Sequence, residues 1–571
     1  MFAAPSALPH KRTLFALAFA MAAALQAAPS FAQVPGTPGV PQAGQDIWIE
    51  DFTKGTPLPD PAVRLYNQYL AADGTSYYSD PTWRYTANEC NGWILNAGTS
   101  APTAGQDTGC LADGGQSANG TSHDAWFYLQ AMASVLGGNV LASMTNNGGA
   151  ANPAGGGTIQ IRANTVTTTE PIVEGHFYVS SAELAAVHCQ QNHPPGVTWS
   201  DPAETLTLFV DGSPLPAASI GVDTCTVGTA VDYDPGPVNQ RTPIYVAQIN
   251  SPAWLSSGVT PSTTVGIQVT DTTYNTTGND QAIGKLKITD VTPQLDKSFD
   301  PALAPVNGTS TLTFTITNTA ELAAKDGWSF TDTLSSGLVV APTPNASATC
   351  TDGTTSASAL GTSVTVTAAA GADSITVKGD LDDGIQSCVV TVDVTSATEA
   401  AYTNDDSNVL SPIGVWPPGS SQVKFTGADM EAIVVSGPTP ASPGSSDMTV
   451  VTKCVNNGPL EADNPTCDVV VTGAAGTTTC TPPPSSPLAV GDEIVCTTTY
   501  TQGAAPVKVT TTAGSTTYDP NPNNNVVSLI QPNSGAAPAT SVPTGKELPW
   551  LLLLLLTATA WYAMAKRNSR R

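Results

Sequence analysis

Leu312-Thr313-Phe314-Thr315-Ile316-Thr317-Asn318 is the stretch whose reading decides the fold class. Apolar residues at every second position put Leu312, Phe314 and Ile316 on one face and threonines on the other, as in a strand with one buried and one wet face. The same period continues through Phe330-Thr331-Asp332-Thr333-Leu334 and Gly337-Leu338-Val339-Val340, with a turn at Gly308 between the opening strand and the repeat. Further out, Thr158 to Arg162, His176 to Val179, Leu206 to Val210 before Asp211-Gly212, Met448 to Val455 and Val526 to Ile530 also read as strands. One stretch, Ala125 to Leu136, has the length of a short helix and ends at Gly137-Gly138. The chain of 571 residues has room for about three to five domains. Its 12% charged residues, against 50 Gly and 47 Pro, fit many short strands and turns.

Charge excludes one class of partner. Residues 33–541 hold 13 basic and 45 acidic groups, a net charge of −32, and a phosphate backbone needs a basic face. Nucleic acid is therefore not a partner, and anionic lipid is disfavoured. The basic residues that remain lie at the two ends. His10-Lys11-Arg12, an apolar run from Leu14 to Leu25 and Ser30-Phe31-Ala32 read as a secretory signal peptide over 1–32. Residues 33–45, rich in Pro and Gly, read as a flexible leader. At the other end, residues 532–541 form a Pro, Ala and Ser linker, and Pro549 to Ala565 can span about 26 Å as one transmembrane helix. Lys566 to Arg571 would stay in the cytoplasm. This predicts an exported protein anchored in the inner membrane, with the bulk of the chain outside it.

Ten cysteines in an exported chain predict five disulfides. The simplest pairing joins neighbours: Cys90 with Cys110, Cys189 with Cys225, Cys350 with Cys388, Cys454 with Cys467, and Cys480 with Cys496. Each set of four still allows three connectivities, and only Cys350 with Cys388 follows from the domain division.

Four resemblances extend the reading. Tyr77, Asp80-Pro81-Thr82-Trp83, Cys90-Asn91-Gly92, the helix ending Leu136-Gly137 and the strand Phe177-Tyr178-Val179-Ser180 resemble an N-terminal, lectin-like jelly-roll module of bacterial surface proteins, covering 46–288. Leu295-Asp296-Lys297-Ser298-Phe299-Asp300-Pro301 with Phe330-Thr331-Asp332-Thr333-Leu334 resembles an immunoglobulin-like envelope domain, covering 289–427. Asn456-Asn457-Gly458-Pro459 and Asp519-Pro520-Asn521-Pro522-Asn523 resemble the conserved-repeat domain of unknown function found in tandem on bacterial surfaces, covering 428–531. Val542, Pro543, Thr544, Glu547 and Trp550, followed by the apolar helix, resemble a sorting signal of the IPTL-CTERM kind over 542–571, with departures at Gly545-Lys546 and Leu548-Pro549. That likeness implies an exosortase-like processing protease as a partner, besides the export machinery, and release to the cell surface. The fold expected is all-β: a jelly-roll-like sandwich with one short helix, two immunoglobulin-like sandwiches, and the C-terminal transmembrane helix.

Enzyme motifs are missing where their mechanics would show. There is no Gly-x-Ser-x-Gly elbow and no His-Glu-x-x-His pair. Gly278 to Lys285 has one residue too many for a phosphate loop and reads as a turn. His188, Cys189 and His193 lie close together, but a disulfide at Cys189 leaves too few metal ligands. Asp232-Tyr233-Asp234, and Asp519 with Asn521 and Asn523, read as turn caps before calcium ligands, and Asp405-Asp406 as a solvated turn. Nothing selects a hydrolytic pair among Glu170, Glu174, Glu183 and Asp211. A Lys to Asn isopeptide cross-link of the kind some adhesins carry would involve Lys297, and the disulfide of the same domain makes it redundant. The reading is a non-catalytic surface protein without cofactor or metal, presenting its first domain on spacers for structural or adhesive contact. One alternative is a carbohydrate-binding protein stacking sugars on Trp83, Trp93 or Trp126, although such tryptophans are more often core; another is a secreted glycoside hydrolase.

Overall fold

The structure, a computed structural model, describes residues 36–532 apart from 55–59, 85–89, 101–124, 145–157, 194, 195, 197, 199, 232–242, 274–279, 355–362, 441–445 and 486. It is all-β, with three bodies of packed sheets in series. In the first, Thr158–Ala163, Val265–Asp271, Ala203–Val210 and Ser213–Asp223 form a four-stranded sheet. It faces a nine-stranded sheet centred on Asp280–Asp290, which lies between Val140–Met144 and Phe177–Val187. Ile161, Leu206, Leu208 and Ile267 from the small sheet meet Leu184, Leu286 and Ile288 from the large one. The far face of the large sheet is covered by the helix Ala125–Leu136, whose Leu129 and Met132 pack with Ala142 and Ala185. Covered on both faces, Phe177–Val187 is buried along nearly its whole length, with Ser180 and Ser181 buried beside its apolar residues, so burial does not alternate along it.

Three sequence expectations change here. The helix Ala125–Leu136 stands as predicted, but Pro81–Arg84 and Thr224–Val227 are helical turns as well. The second turn is set by a cap, with the Asp223 carboxylate accepting from the backbone N–H groups of Cys225 and Thr226, which leaves no apolar period to read. The turn expected over Gly278 to Lys285 is, from Asp280 onward, the central strand of the large sheet. Gly284 marks a bulge in that strand where Leu136 and Glu183 come within 3.2–3.3 Å of any added Cβ. The leader expected to be free is held from Gly36: the Gly36 N–H donates to Gln294 Oε1 (2.9 Å), Gly39 N–H to Thr317 Oγ1 (2.8 Å), and Ala320 N–H to the Gln42 carbonyl (2.7 Å).

The second body has a five-stranded sheet containing Gln294–Asp300, Ser310–Thr317 and Ser387–Thr395, a four-stranded sheet containing Lys325–Thr333 and Ser374–Leu381, and a three-stranded sheet of Leu303–Pro305, Ser421–Thr426 and Ala400–Asn404. Leu312, Phe314 and Ile316 are fully buried, as their alternation requires. The third body pairs a four-stranded sheet around Asp447–Pro459 with a three-stranded one around Val507–Gly514.

The joints are short. Phe177, Val179 and Val291 belong to the same hydrophobic core as Trp328 and Phe330, so the first and second bodies share buried surface. Backbone bonds from Gly414 N–H to the Gly175 carbonyl (2.6 Å) and from Val291 N–H to the Phe177 carbonyl (2.8 Å) fix the join. Between the second and third bodies only Gly427 separates Ser421–Thr426 from Ala428–Pro440. A Cβ at Gly427 would lie 1.8 Å from the Tyr518 carbonyl oxygen, so that close approach admits glycine alone.

Disulfides join Cys189 with Cys225, Cys350 with Cys388, Cys454 with Cys467, and Cys480 with Cys496. Cys90 is disulfide-bonded too, and Cys110 lies outside the described residues. Among the described residues no helix is long and apolar enough to cross a membrane. The signal peptide, Val542, Pro543, Thr544, Glu547, Trp550 and the C-terminal helix lie outside the described residues.

Candidate functional site

One cluster of ionisable side chains lies inside the second body. In Gln294–Asp300 the inward residues are Leu295, Lys297 and Phe299, at a spacing of two. In Lys325–Thr333 they are Trp328, Phe330 and Asp332. In Ala400–Asn404 they are Tyr402 and Asn404. Strand alternation therefore points a lysine, an aspartate and an asparagine from three different sheets into one core. The side chains of Lys297 and Asp332 are fully buried, as is Asn404.

The three are in mutual contact. Lys297 Nζ lies 2.9 Å from Asp332 Oδ1, touches the side-chain amide of Asn404, and donates to the Asp405 carbonyl at 2.8 Å. Asn404 Nδ2 donates to Asp332 Oδ2 at 2.6 Å. One carboxyl group therefore bridges the amine and the amide. Burial pushes the Lys297 amine below its ordinary value against the pull of Asp332, and pushes the Asp332 carboxyl above its own despite Lys297. Each group is thus shifted towards its uncharged form. The turn after Asn404 is held by an Asp405 cap on Ser407 N–H (3.0 Å), with Asn408 Oδ1 accepting from Asp405 N–H (2.9 Å). The solvated turn expected at Asp405-Asp406 is present; the buried residue in front of it is what the sequence reading passed over.

A second buried lysine differs in kind. Lys325 Nζ meets Glu321 Oε1 (2.5 Å), Asn318 Oδ1 (3.1 Å) and the Ala323 carbonyl (3.0 Å), all within one tight turn. The Asn318 amide nitrogen donates to the carbonyls of Ala323 and Ile385, so no carboxyl bridges amine to amide there.

The first body places its polar groups structurally. Glu50 accepts from the hydroxyls of Tyr69 (2.6 Å) and Tyr77 (2.5 Å), which gives Tyr77 a packing role. Glu204 is fully buried and lies directly opposite Asp271 across the sheet; burial and that neighbour raise its pKa well above the carboxylate range. His176 Nδ1 lies 2.7 Å from Asp290, and its ring meets the edge of Trp416 from the second body at 4.4 Å.

The other sequence candidates are not assembled into a site. Trp83, Trp93 and Trp126 are 1%, 3% and 1% exposed, which places them in the core, the commoner reading of such tryptophans, and removes them as sugar platforms. Glu174 caps the Gly258 and Val259 N–H groups, Glu183 faces Lys285 at 3.6 Å, and Asp211 accepts from Thr264 N–H at 2.9 Å. Glu170 is half-buried. His188 pairs with Asp280 at 2.7 Å, and Cys189 is spent in its disulfide. Asp519 caps Asn521 N–H (2.8 Å) and accepts from Met430 N–H (3.1 Å). Asp232-Tyr233-Asp234 lies outside the described residues. A cleft of about 720 Å³ runs between the first two bodies, floored by Phe177, Trp254 and Leu255 and rimmed by Glu321, Asp326 and Asp383.

Residues 293–425 match a family model described as Domain of unknown function (DUF7933), and that stretch contains Lys297, Asp332 and Asn404. No curated protein matches the chain. Among solved structures the chain is similar to the N-terminal domain of the Streptococcus gordonii adhesin Sgo0707 at 10% identity and TM-score 0.21, with 47% of this chain and 60% of that one covered. It is similar to invasin, a bacterial integrin-binding protein, at 12% identity and TM-score 0.19, covering 68% and 59%. It is also similar to BcpA, the major pilin subunit of Bacillus cereus, at 10% identity and TM-score 0.20, covering 63% and 98%. The chain thus spans about 60% of the length of the adhesin domain and of invasin.

Proposed function

We propose that this is a non-catalytic protein of the bacterial envelope, in which the second and third sandwiches hold the first away from the membrane for structural or adhesive contact. The observation that carries the reading is the continuity of the joints. The first and second bodies share one core through Phe177, Val179 and Trp328, the leader is bonded across the second body, and a single glycine separates the second from the third. Such a series transmits load and holds its reach, which suits a spacer. Disulfides in each body suit an oxidising compartment. In this reading the signal peptide exports the chain and the apolar tail anchors it in the inner membrane. The tail, with Val542, Pro543, Thr544, Glu547 and Trp550, is the substrate of an exosortase-like protease that releases the product to the surface.

The test is cell fractionation with C-terminal peptide mapping of the native protein, combined with protease treatment of intact cells. Loss of the residues after about Val542 in a surface-accessible fraction is the expected result. A full-length C-terminus confined to inner membrane, inaccessible from outside, would overturn release. The carbohydrate-binding alternative now rests on the cleft containing half-buried Trp254. Glycan-array binding that Trp254→Ala abolishes would favour it over a purely structural role.

A further inference from the structure

We infer that Lys297 and Asn404 become joined by an amide bond between their side chains inside the folded second body, with Asp332 carrying the protons. The placement is what such a reaction requires. An amine, the amide it would attack and a carboxyl bridging both are brought together from three sheets, 107 residues apart in sequence, in a core closed to water. The Asp405 carbonyl holds the amine as a third partner.

The chemistry balances without any added reagent. The lone pair of the neutral Lys297 amine attacks the side-chain carbonyl carbon of Asn404 and forms the new C–N bond. A proton leaves Nζ for Asp332, and Asp332 delivers its own proton to the amide nitrogen of Asn404. The bond from the carbonyl carbon to that nitrogen breaks, and ammonia departs. One amine and one primary amide give one secondary amide and one ammonia, with Asp332 returned as it began. The uncharged states this needs are those that burial favours for both Lys297 and Asp332. Exclusion of water removes hydrolysis as a competitor.

The disulfide does not make this bond redundant. Cys350 and Cys388 sit opposite each other on adjacent strands of one sheet, so their bond reinforces a ladder that already exists. The Lys297 to Asn404 bond would link the opening strand of the body to a strand of another sheet, where no ladder runs between them. Lys325 serves as an internal control, since its carboxylate does not reach the Asn318 amide.

The test is the mass of the native mature protein after reduction and denaturation, followed by tryptic mapping. The expected result is a mass one ammonia below that of the sequence, not two, and a branched peptide joining the segments that contain Lys297 and Asn404. Lys297→Met and Asp332→Asn should each restore the full mass, the second with both partners present. A succinimide at an Asn-Gly step such as Asn307-Gly308 also loses ammonia, but it leaves linear peptides and takes up water in mild base to give aspartate or isoaspartate. A wild-type protein with its disulfides formed, full mass, and separate Lys297 and Asn404 peptides would overturn the proposal without recourse to any variant.

Discussion

If Lys297 and Asn404 are bonded, pulling the chain by its ends cannot extend the residues between them. The perturbation is Lys297→Met, which keeps the length of the side chain and removes the amine. In the oxidised protein the newly releasable chain is the 107 residues from Lys297 to Asn404 less the 38 spanned by Cys350 and Cys388. Those roughly 69 residues add about 230–250 Å at about 3.3–3.6 Å per residue. With the disulfides reduced, the whole 107-residue stretch is released, and the gain rises to about 350–390 Å. Single-molecule force extension of the full exported chain reads both values as differences in contour length between variant and wild type. A variant that fails to fold is recognised by loss of the second-body rupture event itself. In the chain-entropy treatment of cross-links, closing a loop of this size restrains the unfolded chain by about 4–5 kcal/mol. The second body of the variant should therefore also melt about 10–20 °C lower. Equal contour lengths in wild type and Lys297→Met, with the rupture event present in both, would refute the reasoning.

Three further outcomes follow from particular contacts. Burial against Asp271 raises the Glu204 pKa in the folded state, so the stability linked to this group is complete below the unfolded carboxylate range and is lost as pH rises through the folded value. Glu204→Gln should flatten that decline and raise stability near neutral pH, read from urea midpoints at several pH values; a wild type as stable as the variant at neutral pH would contradict it. Trp416→Ala removes the ring packed on His176 at the joint and should cost about 2 kcal/mol, splitting a shared calorimetric transition of the first two bodies into two; an unchanged single transition would count against the coupled joint. Reduction should unfold the third body first, because its core divides into two small clusters and its disulfides close spans of 13 and 16 residues, about 3 kcal/mol each. Limited proteolysis with and without reductant locates the first cuts, and first cuts in the second body would reverse the order.

Strand alternation made the sandwiches legible because one face of each strand is wet, as in Ser310–Thr317. It showed the large sheet of the first body only in part, at His176 to Val179. Beyond that point Phe177–Val187, covered on both faces, loses its period, and Gly278 to Lys285, which runs into Asp280–Asp290, carried enough glycine and polar residues to read as a turn. The tryptophans followed the commoner reading, as core. A large aromatic says only that much surface is to be covered, and here the helix and the sheet cover it.

The buried triad is the instructive case, because each of its residues had a signal in the strand period. Lys297 stands in phase with Leu295 and Phe299, Asp332 with Trp328 and Phe330, and Asn404 with Tyr402, so all three occupy positions where alternation demands an apolar side chain. Burying a lone charge is too costly to persist unless a partner compensates it. One in-phase lysine therefore implies, from the strand period alone, an in-phase carboxylate elsewhere in the same body. Weighing Lys297 against the disulfide missed this, since a disulfide within one ladder does nothing for a buried amine in another strand. What the period could not supply was the third partner. Asparagine is neutral and raises no such demand, and only the meeting of three sheets puts the Asn404 amide against Lys297 Nζ with Asp332 between them.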